Sequence, residues 1–372
     1  MKILLIGEYS NVHATLATGL RTLGHQVTVV SNGDFWKNYP RDIDVTRMPG
    51  KSGGIRLMLK LWLLLPKLRG YDVVQLINPM FFELKAERLF FFYNYLRRHN
   101  KCVVLGAYGM DWYWVHTCTY GMPLRYSDFN IGNRRRTTDD AVKEQHDWLG
   151  TAKERLNKLI AQDCDGIVTG LYEYQVCYEP HFPEKTMFIP FPIEPADTTA
   201  SFAPKETISI FIGLSRQRSV YKGTDIMLRA AQAIAEKYPN KVALSIAEGV
   251  PFEQYQHMMD NSDVLLDQLY SYTPAMNALL AMSKGIIVVG GGEPENYEIL
   301  HETELRPIVN VAPDYESVYH ELEELVLHPE RIPELKRQSV AYILRHHDYI
   351  KVARQYEQFY QRIGIRAESR QP

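Results

Sequence analysis

The sequence has few of the features that mark secreted, membrane-spanning or nucleic-acid-binding proteins. Its 372 residues include four cysteines, at positions 102, 118, 164 and 177. Their spacing matches neither a CxxC pair nor a Cys/His zinc motif, so we expect reduced thiols in a cytoplasmic protein. No run reaches the ~18 apolar residues that a membrane-spanning helix needs. The net charge of −2 argues against bulk nucleic-acid binding, and we expect no nucleic-acid partner.

Signals for processing and for metal binding are also missing. The opening MKILLIGEYS lacks the apolar stretch and cleavage site of a signal peptide, and we expect a first β-strand there. The nearest approaches to an Asp-x-Asp metal motif, DID (42–44) and DCD (163–165), lie away from the expected ligand positions. We therefore expect no metal. With 45% hydrophobic and 23% charged residues, the chain has an ordinary globular composition and enough length for two domains.

Apolar runs alternate with helical patterns along the chain. KILLIG is a nearly continuous apolar run, as in a strand that is buried on both faces, and a helix is predicted near residues 13–24. Further strands are predicted at HQVTVVS, DVVQLIN, CVVLGAY and DGIVTG. Strands separated by helices form parallel sheets with right-handed crossovers.

A proline-rich stretch, residues 190–205, divides this pattern, which then restarts with TISIFIG. We predict an α/β protein of two doubly wound Rossmann-like domains facing a central cleft, with ligands beyond the carboxyl ends of the strands. The predicted bounds are 1–190 for the first domain, 191–205 for the linker, 206–345 for the second domain and 346–372 for a carboxyl-terminal helix that packs towards the first domain. Aromatic residues in that helix predict core packing.

A cluster of cations follows the predicted strand TISIFIG and precedes a helix. Arg216, Arg218 and Lys222 have the side chains that bind phosphate oxygens, and the helix N-terminus adds a partial positive charge. Gly223 allows the backbone to turn without an obstructing side chain. The alternative is a solvated basic loop. No GxxxxGK[ST] motif is present, so this is not a P-loop.

A second anion site is predicted in YTPAMNALLAMSKG. Thr273 would cap a helix with Pro274 in its first position, leaving the amides of Ala275 and Met276 directed at the cleft. Specificity would come from side chains up to Asn277. The alternative is a helix with favourable residues at its N-terminus and no bound anion.

These motifs and their order resemble the retaining nucleotide-sugar glycosyltransferases of the GT-B fold, the family-4-type group also called glycosyl transferases group 1. The resemblance covers almost the whole chain. It rests on the segments FIGLSRQRSVYKGTDIMLRAA, LSIAEG, YQHMMDNSDVLLDQ, LLAMSKGIIVV, CDGIVTG, IPFPIE and AYGMDW.

The resemblance implies that Arg218 (or Arg216) and Lys222 bind the donor diphosphate and stabilise it as a leaving group. The first domain would then be the acceptor side and the second the donor side. In such enzymes the leaving diphosphate helps to deprotonate the acceptor, so no metal or cofactor is implied beyond the nucleoside diphosphate sugar. The family usually has two glutamates in this region. This sequence departs from that pattern, because Tyr272 and Leu280 occupy the two positions.

Three acids near the second domain's later strand are candidate substitutes for the missing glutamates. They are Glu293, Glu295 and Glu298, which follow IIVVGG. A leucine cannot accept a hydrogen bond from a ribose hydroxyl, and a buried unpaired hydroxyl costs a few kcal/mol. The alternative for each acid is a solvated acidic loop.

In the first domain, Asp111 follows a buried strand and is our candidate for orienting an acceptor or donor-sugar hydroxyl. The alternative is a helix N-cap before WYWVH. Backbone near Gly7 would approach the donor. His13 is a weaker acceptor-side candidate, because a lone histidine is more often structural. The loop 132–140 is interpreted as a mobile acceptor-side segment.

The resemblance implies sugar transfer from a nucleoside diphosphate sugar to a glycan or lipid-linked acceptor, as in polysaccharide biosynthesis. Alternatives are a non-catalytic GT-B relative that acts as a binding or scaffold subunit, and a sugar-nucleotide epimerase.

Segments 55–69 and 85–101 mix cations with large apolar residues. This mixture predicts contact with the inner face of a membrane or, alternatively, crossover helices packed on the sheet.

Overall fold

The computed structural model describes residues 1–50, 52–196, 202, 205–215 and 219–368, with the backbone alone for residues 366–368. The chain forms two compact units. Unit 1 comprises Met1–Tyr120, Glu144–Pro192 and the residues from Tyr349 onward, and unit 2 comprises Gly121–Lys143 and Ile193–Asp348. The predicted linker begins beside this division. The predicted first domain, however, includes the segment 121–143, which clusters with unit 2.

The strands and helices are numbered in chain order. The strands are β1 Lys2–Ile6, β2 Gln26–Ser31, β3 Ile43–Asp44, β4 Val73–Leu76, β5 Cys102–Ala107, β6 Asn130–Ile131, β7 Arg134–Arg135, β8 Gly166–Thr169, β9 Thr186–Phe188, β10 Ile208–Leu214, β11 Val242–Glu248, β12 Val264–Leu266, β13 Ile287–Gly290 and β14 Val309–Asn310. The helices are α1 Val12–Thr22, α2 Gly53–Leu64, α3 Ala86–His99, α4 Trp112–His116, α5 Asp139–Trp148, α6 Ala152–Asp163, α7 Tyr172–Tyr178, α8 Ser219–Lys222, α9 Thr224–Lys237, α10 Phe252–Asp260, α11 Met276–Ser283, α12 Pro294–Ile299, α13 Tyr315–Leu327, α14 Ile332–Tyr342 and α15 Tyr349–Glu368.

Unit 1 contains a parallel sheet in the order β3-β2-β1-β4-β5-β8-β9. Strand β1 lies in its interior, and Ile3 is aligned with Val27 of β2 on one side and with Val73 of β4 on the other. Residues 3–6 are fully buried, as expected for a strand covered by helices on both faces. The predicted parallel arrangement is confirmed.

Helix α15 packs against α1 within unit 1. A side chain at Gly19 of α1 would place its Cβ 2.5 Å from the carbonyl oxygen of Tyr349 and 2.8 Å from the Cβ of Ala353. The two helix backbones therefore approach each other too closely for any residue larger than glycine. Tyr356 and Tyr360 of α15 are buried against the sheet, and the Tyr360 hydroxyl donates to Gln75 Oε1 at 2.7 Å.

Unit 2 contains a second parallel sheet, in the order β11-β10-β12-β13-β14. Apolar residues of its strands form one core with helices α9 and α13, and this core includes Ile210, Val264, Ile287, Met227 and Leu322. Together the two sheets confirm the prediction of two Rossmann-like domains. Among the described residues, no helix is both long and apolar enough to cross a membrane.

The segment 121–143 contains structure that the sequence analysis missed. Strands β6 and β7 form a short antiparallel hairpin. Asn130 is fully buried and donates through Nδ2 to the carbonyls of Leu124 at 2.8 Å and Gly132 at 3.0 Å. The segment is thus part of unit 2, and the interpretation of 132–140 as a mobile acceptor-side segment stays a prediction.

The close approach at Gly19 makes a stability prediction. We expect Gly19→Val to lower the free energy of unfolding by about 1–3 kcal/mol, because the added side chain forces α1 and α15 apart. Urea unfolding measures the change. Gly364→Ala in α15 is the matched control: its Cβ meets nothing within 4 Å, so it should be neutral or stabilising by up to about 1 kcal/mol. Equal stability of the two variants would contradict the packing argument.

Candidate functional site

The turn that carries Lys222 lies beyond the carboxyl end of β10. Gly223 has φ of 75° and is the N-cap of α9, and Leu269 N–H donates to the Lys222 carbonyl at 2.9 Å. A Cβ at Gly223 would lie 2.8 Å from the Cβ of Leu269. The turn therefore needs glycine both for its left-handed backbone and for its contact with the loop after β12. Arg216 and Arg218 lie outside the described residues.

Polar side chains from four parts of the chain lie beside this turn, and we call them the Lys222 cluster: Lys222 of α8, Tyr255 of α10, Asp267 after β12 and Asn277 of α11. Asn277 Nδ2 donates to Asp267 Oδ1 at 3.3 Å, and the Tyr255 hydroxyl donates to Asn277 Oδ1 at 3.1 Å. Burial raises the pKa of Asp267, and the nearby Lys222 charge opposes that shift. At Gly213 of β10, a Cβ would come within 2.6 Å of the Tyr255 ring, so glycine makes room for this arrangement.

Helix α11 begins two residues later than predicted. Its N-cap is Ala275, in an extended conformation with φ of −86° and ψ of 178°, and no side chain caps it. Thr273 therefore does not cap the helix, and Pro274 precedes it. The physical reason lies in the preceding loop, where Ser271 Oγ donates to the Thr273 carbonyl at 2.5 Å and keeps the chain out of the helical path. Met276 is the first helical residue.

Tyr272 stands where the resemblance places a glutamate, and it is bound by the segment 121–143. The Tyr272 side chain is buried, and its hydroxyl accepts a hydrogen bond from Arg125 N–H at 2.7 Å. The Arg125 guanidinium lies over the Tyr272 ring, 4.9 Å from its centroid. The Tyr126 ring packs on the same ring at a centroid distance of 4.8 Å. Residues from the first half of the sequence thus cover the position of the missing acid.

Two of the candidate substitute acids bind the same segment. Arg125 Nη2 donates to Glu293 Oε2 at 2.8 Å and to Glu295 Oε2 at 3.0 Å, and Nη1 donates to Glu295 Oε1. The Tyr126 hydroxyl donates to Glu293 Oε1. Hydrogen bonding to Arg125 lowers the pKa of Glu295. We call Arg125, Tyr126, Tyr272, Glu293 and Glu295 the Arg125 cluster.

The third candidate acid differs from the other two. Glu298 is exposed on helix α12 and is not part of the Arg125 cluster. Of the three, Glu293 is the most buried, with 9% of its surface accessible. The structure therefore separates two acids that are held by an arginine from one acid that faces solvent.

Arg136 ties the hairpin to the turn of Lys222. Its side chain is buried, and it donates through Nη2 to the Val220 carbonyl at 2.8 Å and through Nη1 to the Tyr221 carbonyl at 3.1 Å. Nη1 also donates to the Ser127 carbonyl at 3.1 Å. The guanidinium lies 3.7 Å from the centroid of the Tyr270 ring. Nothing in the run RRR at 134–136 distinguishes this buried arginine from its exposed neighbours, so sequence reasoning missed it.

Asp111 is fully buried at the carboxyl end of β5, within unit 1. It is the N-cap of α4, accepting from Trp114 N–H through Oδ1 at 2.9 Å. Oδ2 accepts from the Tyr178 hydroxyl at 2.7 Å, and Asn157 Nδ2 donates to that hydroxyl at 3.1 Å. Burial raises the pKa of Asp111 to about 7. The contacts of Asp111 are those of a helix N-cap, as the alternative interpretation predicts. Its role in orienting a sugar hydroxyl stays a prediction.

His13 lies inside unit 1 with both ring nitrogens engaged. Nδ1 lies 2.9 Å from the Gly7 carbonyl and must donate to it, which leaves Nε2 as the acceptor for Gln75 Nε2 at 3.1 Å. Burial lowers the pKa of His13 to about 3, so the ring is neutral. These contacts favour the structural alternative for this histidine.

The first strand-helix turn contains a buried carboxyl group whose pKa burial raises to about 7. Glu8 is buried and accepts from His13 N–H at 3.3 Å and from Ala14 N–H at 2.8 Å, which satisfies the N-terminus of α1. Gly7, with φ of 86°, faces Ile77, whose Cγ2 would lie 2.2 Å from a Cβ at that position. The backbone at Gly7 is thus shaped by packing on Ile77, and its approach to a donor stays a prediction.

Solved structures resemble this chain over nearly its full length. Sucrose-phosphate synthase (tll1590) from Thermosynechococcus elongatus superposes with a TM-score of 0.63 at 13% identity, covering 98% of this chain and 99% of that chain. The catalytic domain of starch synthase IV from Arabidopsis thaliana, bound to ADP and acarbose, superposes with a TM-score of 0.57 at 12% identity, covering 98% of this chain and 99% of that chain. The chain has the GT-B fold.

The same fold also includes a different activity. A putative UDP-N-acetylglucosamine 2-epimerase from Listeria monocytogenes superposes with a TM-score of 0.55 at 11% identity, covering 96% of this chain and 94% of that chain. No protein-family model and no curated protein matches the sequence. At these identities the likeness establishes the fold, and the choice of activity depends on the site itself.

The raised pKa of Asp111 makes a prediction about pH. Between about pH 4 and pH 7 the folded protein holds a proton on Asp111 that the unfolded chain releases, so the free energy of unfolding falls as pH rises through this window. We expect Asp111→Asn to flatten this dependence by up to about 1.4 kcal/mol per pH unit. Urea unfolding across the window measures the slope.

The control is Asp139→Asn, which alters an exposed carboxylate in the first turn of α5. Its slope should match that of the wild type. Glu8 has a pKa that burial also raises to about 7, so the Asp111→Asn protein should keep part of the dependence. An unchanged slope in Asp111→Asn would contradict a protonated Asp111.

Proposed function

We propose that the protein is a retaining, family-4-type glycosyltransferase that moves a sugar from a nucleoside diphosphate sugar to a glycan or lipid-linked acceptor. The observation that carries the proposal is the Lys222 turn. It presents a cation beside the N-terminus of α9, beyond the carboxyl end of β10, where open α/β sheets bind their ligands. The structural neighbours of this fold include glycosyltransferases, which agrees with this assignment.

We assign the donor diphosphate to unit 2. Lys222 would neutralise charge on the leaving diphosphate, with Arg216 or Arg218 from the same loop, and this stabilisation is greatest where water is excluded. Asn277 is held by Tyr255 and Asp267, so its amide would be oriented before a donor binds. Asp267 would attract the Lys222 ammonium when its carboxyl group is ionised.

The ribose contact needs an acid in place of Leu280. We assign it to Glu293, in the loop after β13, or to Glu295 or the exposed Glu298 of the following helix α12. Arg125 already binds Glu293 and Glu295, so a ribose hydroxyl would share one of these carboxylates with the guanidinium. A carboxylate has about four lone-pair sites and can accept from both groups.

A second candidate function rests on the same cluster. The two glutamates of the family are absent, and Arg125 holds the acids nearest to the position of Tyr272. This arrangement favours a non-catalytic relative that binds a nucleotide sugar or acts as a scaffold. Turnover separates the two functions, since a binding subunit would bind the nucleotide without transferring or hydrolysing a sugar.

We assign the acceptor to unit 1, with Asp111 orienting a hydroxyl and no metal taking part. A lipid-linked acceptor would require contact with the inner face of a membrane. Buried Asp111 acts in this proposal through its pKa of about 7, which keeps a proton on the carboxyl group for part of the time at neutral pH.

The donor assignment is tested by thermal stabilisation. We expect a UDP or ADP sugar from a panel to raise the melting temperature of the wild type, and Lys222→Ala to weaken its binding about 10- to 100-fold, the effect of losing a charge-assisted hydrogen bond. Lys237→Ala, at the exposed end of α9, is the control and should bind like the wild type. The absence of a shift with every nucleotide sugar would count against the proposal. Donor hydrolysis that Lys222→Ala abolishes would exclude the non-catalytic alternative.

Arg136 is predicted to be a positioning residue for the Lys222 turn. Because its guanidinium binds the carbonyls of Val220 and Tyr221, we expect Arg136→Gln to weaken nucleotide binding about tenfold, with Arg136→Lys intermediate. Isothermal titration measures the dissociation constant, and circular dichroism confirms folding at the assay temperature. Arg134→Gln changes an exposed arginine of the same hairpin and should bind normally. A folded Arg136→Gln protein with wild-type affinity would refute the role.

A further inference from the structure

Helix α2 of unit 1 has apolar residues on two faces. Leu57 and Leu61 are buried in unit 1, as expected for a crossover helix. Ile55, Leu59 and Leu63 point away from them, and Leu59 and Leu63 are 61% and 81% exposed in the complete chain. A helix that packs on a sheet needs only one apolar face, so packing within the chain does not explain the second.

The exposed face continues onto helix α3. The Trp62 ring of α2 stacks on the Phe91 ring of α3, with centroids 4.6 Å apart and an angle of 27° between the planes. Both rings remain exposed, at 49% and 42%. We call Ile55, Leu59, Trp62, Leu63 and Phe91 the α2 face. An exposed apolar surface of this kind marks a site of interaction with a partner or a membrane.

Cations surround the α2 face. The sequence from Thr46 to Gly70 contains six lysines and arginines and no aspartate or glutamate. Among the described residues, the exposed cations of this stretch include Arg56, Lys60, Lys67 and Arg69, and α3 adds exposed Arg88 and Arg98. The acids nearby are Asp44, whose Oδ2 lies 3.6 Å from Lys60 Nζ, Glu83, which accepts from Arg47 N–H at 3.2 Å, and the exposed Glu87 of α3.

We infer that the α2 face binds an anionic lipid surface. Leucine, isoleucine and tryptophan would enter the boundary between headgroups and acyl chains, while the lysines and arginines bind lipid phosphates. Tryptophan is favoured at this depth because its ring has an apolar body and a polar N–H. The helix would lie in the plane of the membrane and would not cross it.

The charge distribution separates a membrane from the other occupants of such a face. A second copy of the chain that used the same face would bring two sets of cations together, and their repulsion opposes that dimer. Nucleic acid would bind the cations but would leave the leucines exposed. A lipid surface satisfies both kinds of side chain, because apolar insertion and attraction to anionic headgroups act together.

Co-sedimentation of the full chain with vesicles tests the inference. We expect binding to vesicles of phosphatidylglycerol mixed with phosphatidylcholine, weaker binding to phosphatidylcholine alone, and loss of binding as salt is raised. Leu59→Glu/Leu63→Glu should reduce binding at least about tenfold, because both side chains are exposed and the change adds two anions. Arg56→Gln/Lys67→Gln should reduce binding to the anionic vesicles more than to the neutral ones.

Leu327→Glu is the matched control, because it changes an exposed leucine on helix α13 of unit 2 and should bind like the wild type. Brominated acyl chains should quench Trp62 fluorescence, and Trp62→Phe should remove that quenching. The inference fails if the wild type does not bind anionic vesicles, or if Leu59→Glu/Leu63→Glu binds them as well as Leu327→Glu does. It also fails if the wild type is a dimer that this double variant converts to a monomer. Nucleotide binding is measured separately, so failure here leaves the proposed transfer reaction standing.

Discussion

A buried guanidinium organises the candidate donor site. Arg136 loses its hydration on burial, and such a cation is tolerated only where acceptors surround it. The carbonyls of Val220, Tyr221 and Ser127 supply those acceptors, and the Tyr270 ring covers its face. The turn before α9 therefore has to present its carbonyls to the hairpin, which sets the path of the chain that carries Lys222.

The segment 121–143 also binds two acidic residues of the candidate site, Glu293 and Glu295. The backbone N–H of Arg125 donates to the Tyr272 hydroxyl, and this hydrogen bond positions the residue. The Arg125 guanidinium then donates to Glu293 and Glu295. An arginine between two carboxylates orients both of them through charge-assisted hydrogen bonds. Tyr272, at a position where the resemblance implies a glutamate, is thus bound by the segment 121–143, and Glu293 and Glu295 bind the same segment.

Much of the fold was predictable because burial on two sides leaves a strong signal in the chain. KILLIG, CVVLGAY and TISIFIG are apolar runs bounded by turns, and each is a strand of a parallel sheet. Short elements carried no such signal: β3, β14 and the β6-β7 hairpin each have only two residues per strand. The start of α11 was placed too early because the hydrogen bond from Ser271 to the Thr273 carbonyl depends on a folded loop and not on helix propensity.

The sequence by itself determined the two-sheet architecture, the basic composition of the loop before α9, and the apolar and basic composition of α2. These follow from periodicity and residue type, which are local properties of the chain. Only the tertiary structure decided which arginine is buried, which acids are held, and which face of α2 is exposed. Arg134 and Arg136 are the same residue type two positions apart, and only the contacts of Arg136 with residues 220 and 221 distinguish them. Such contacts join parts of the chain more than eighty residues apart, so no local pattern records them.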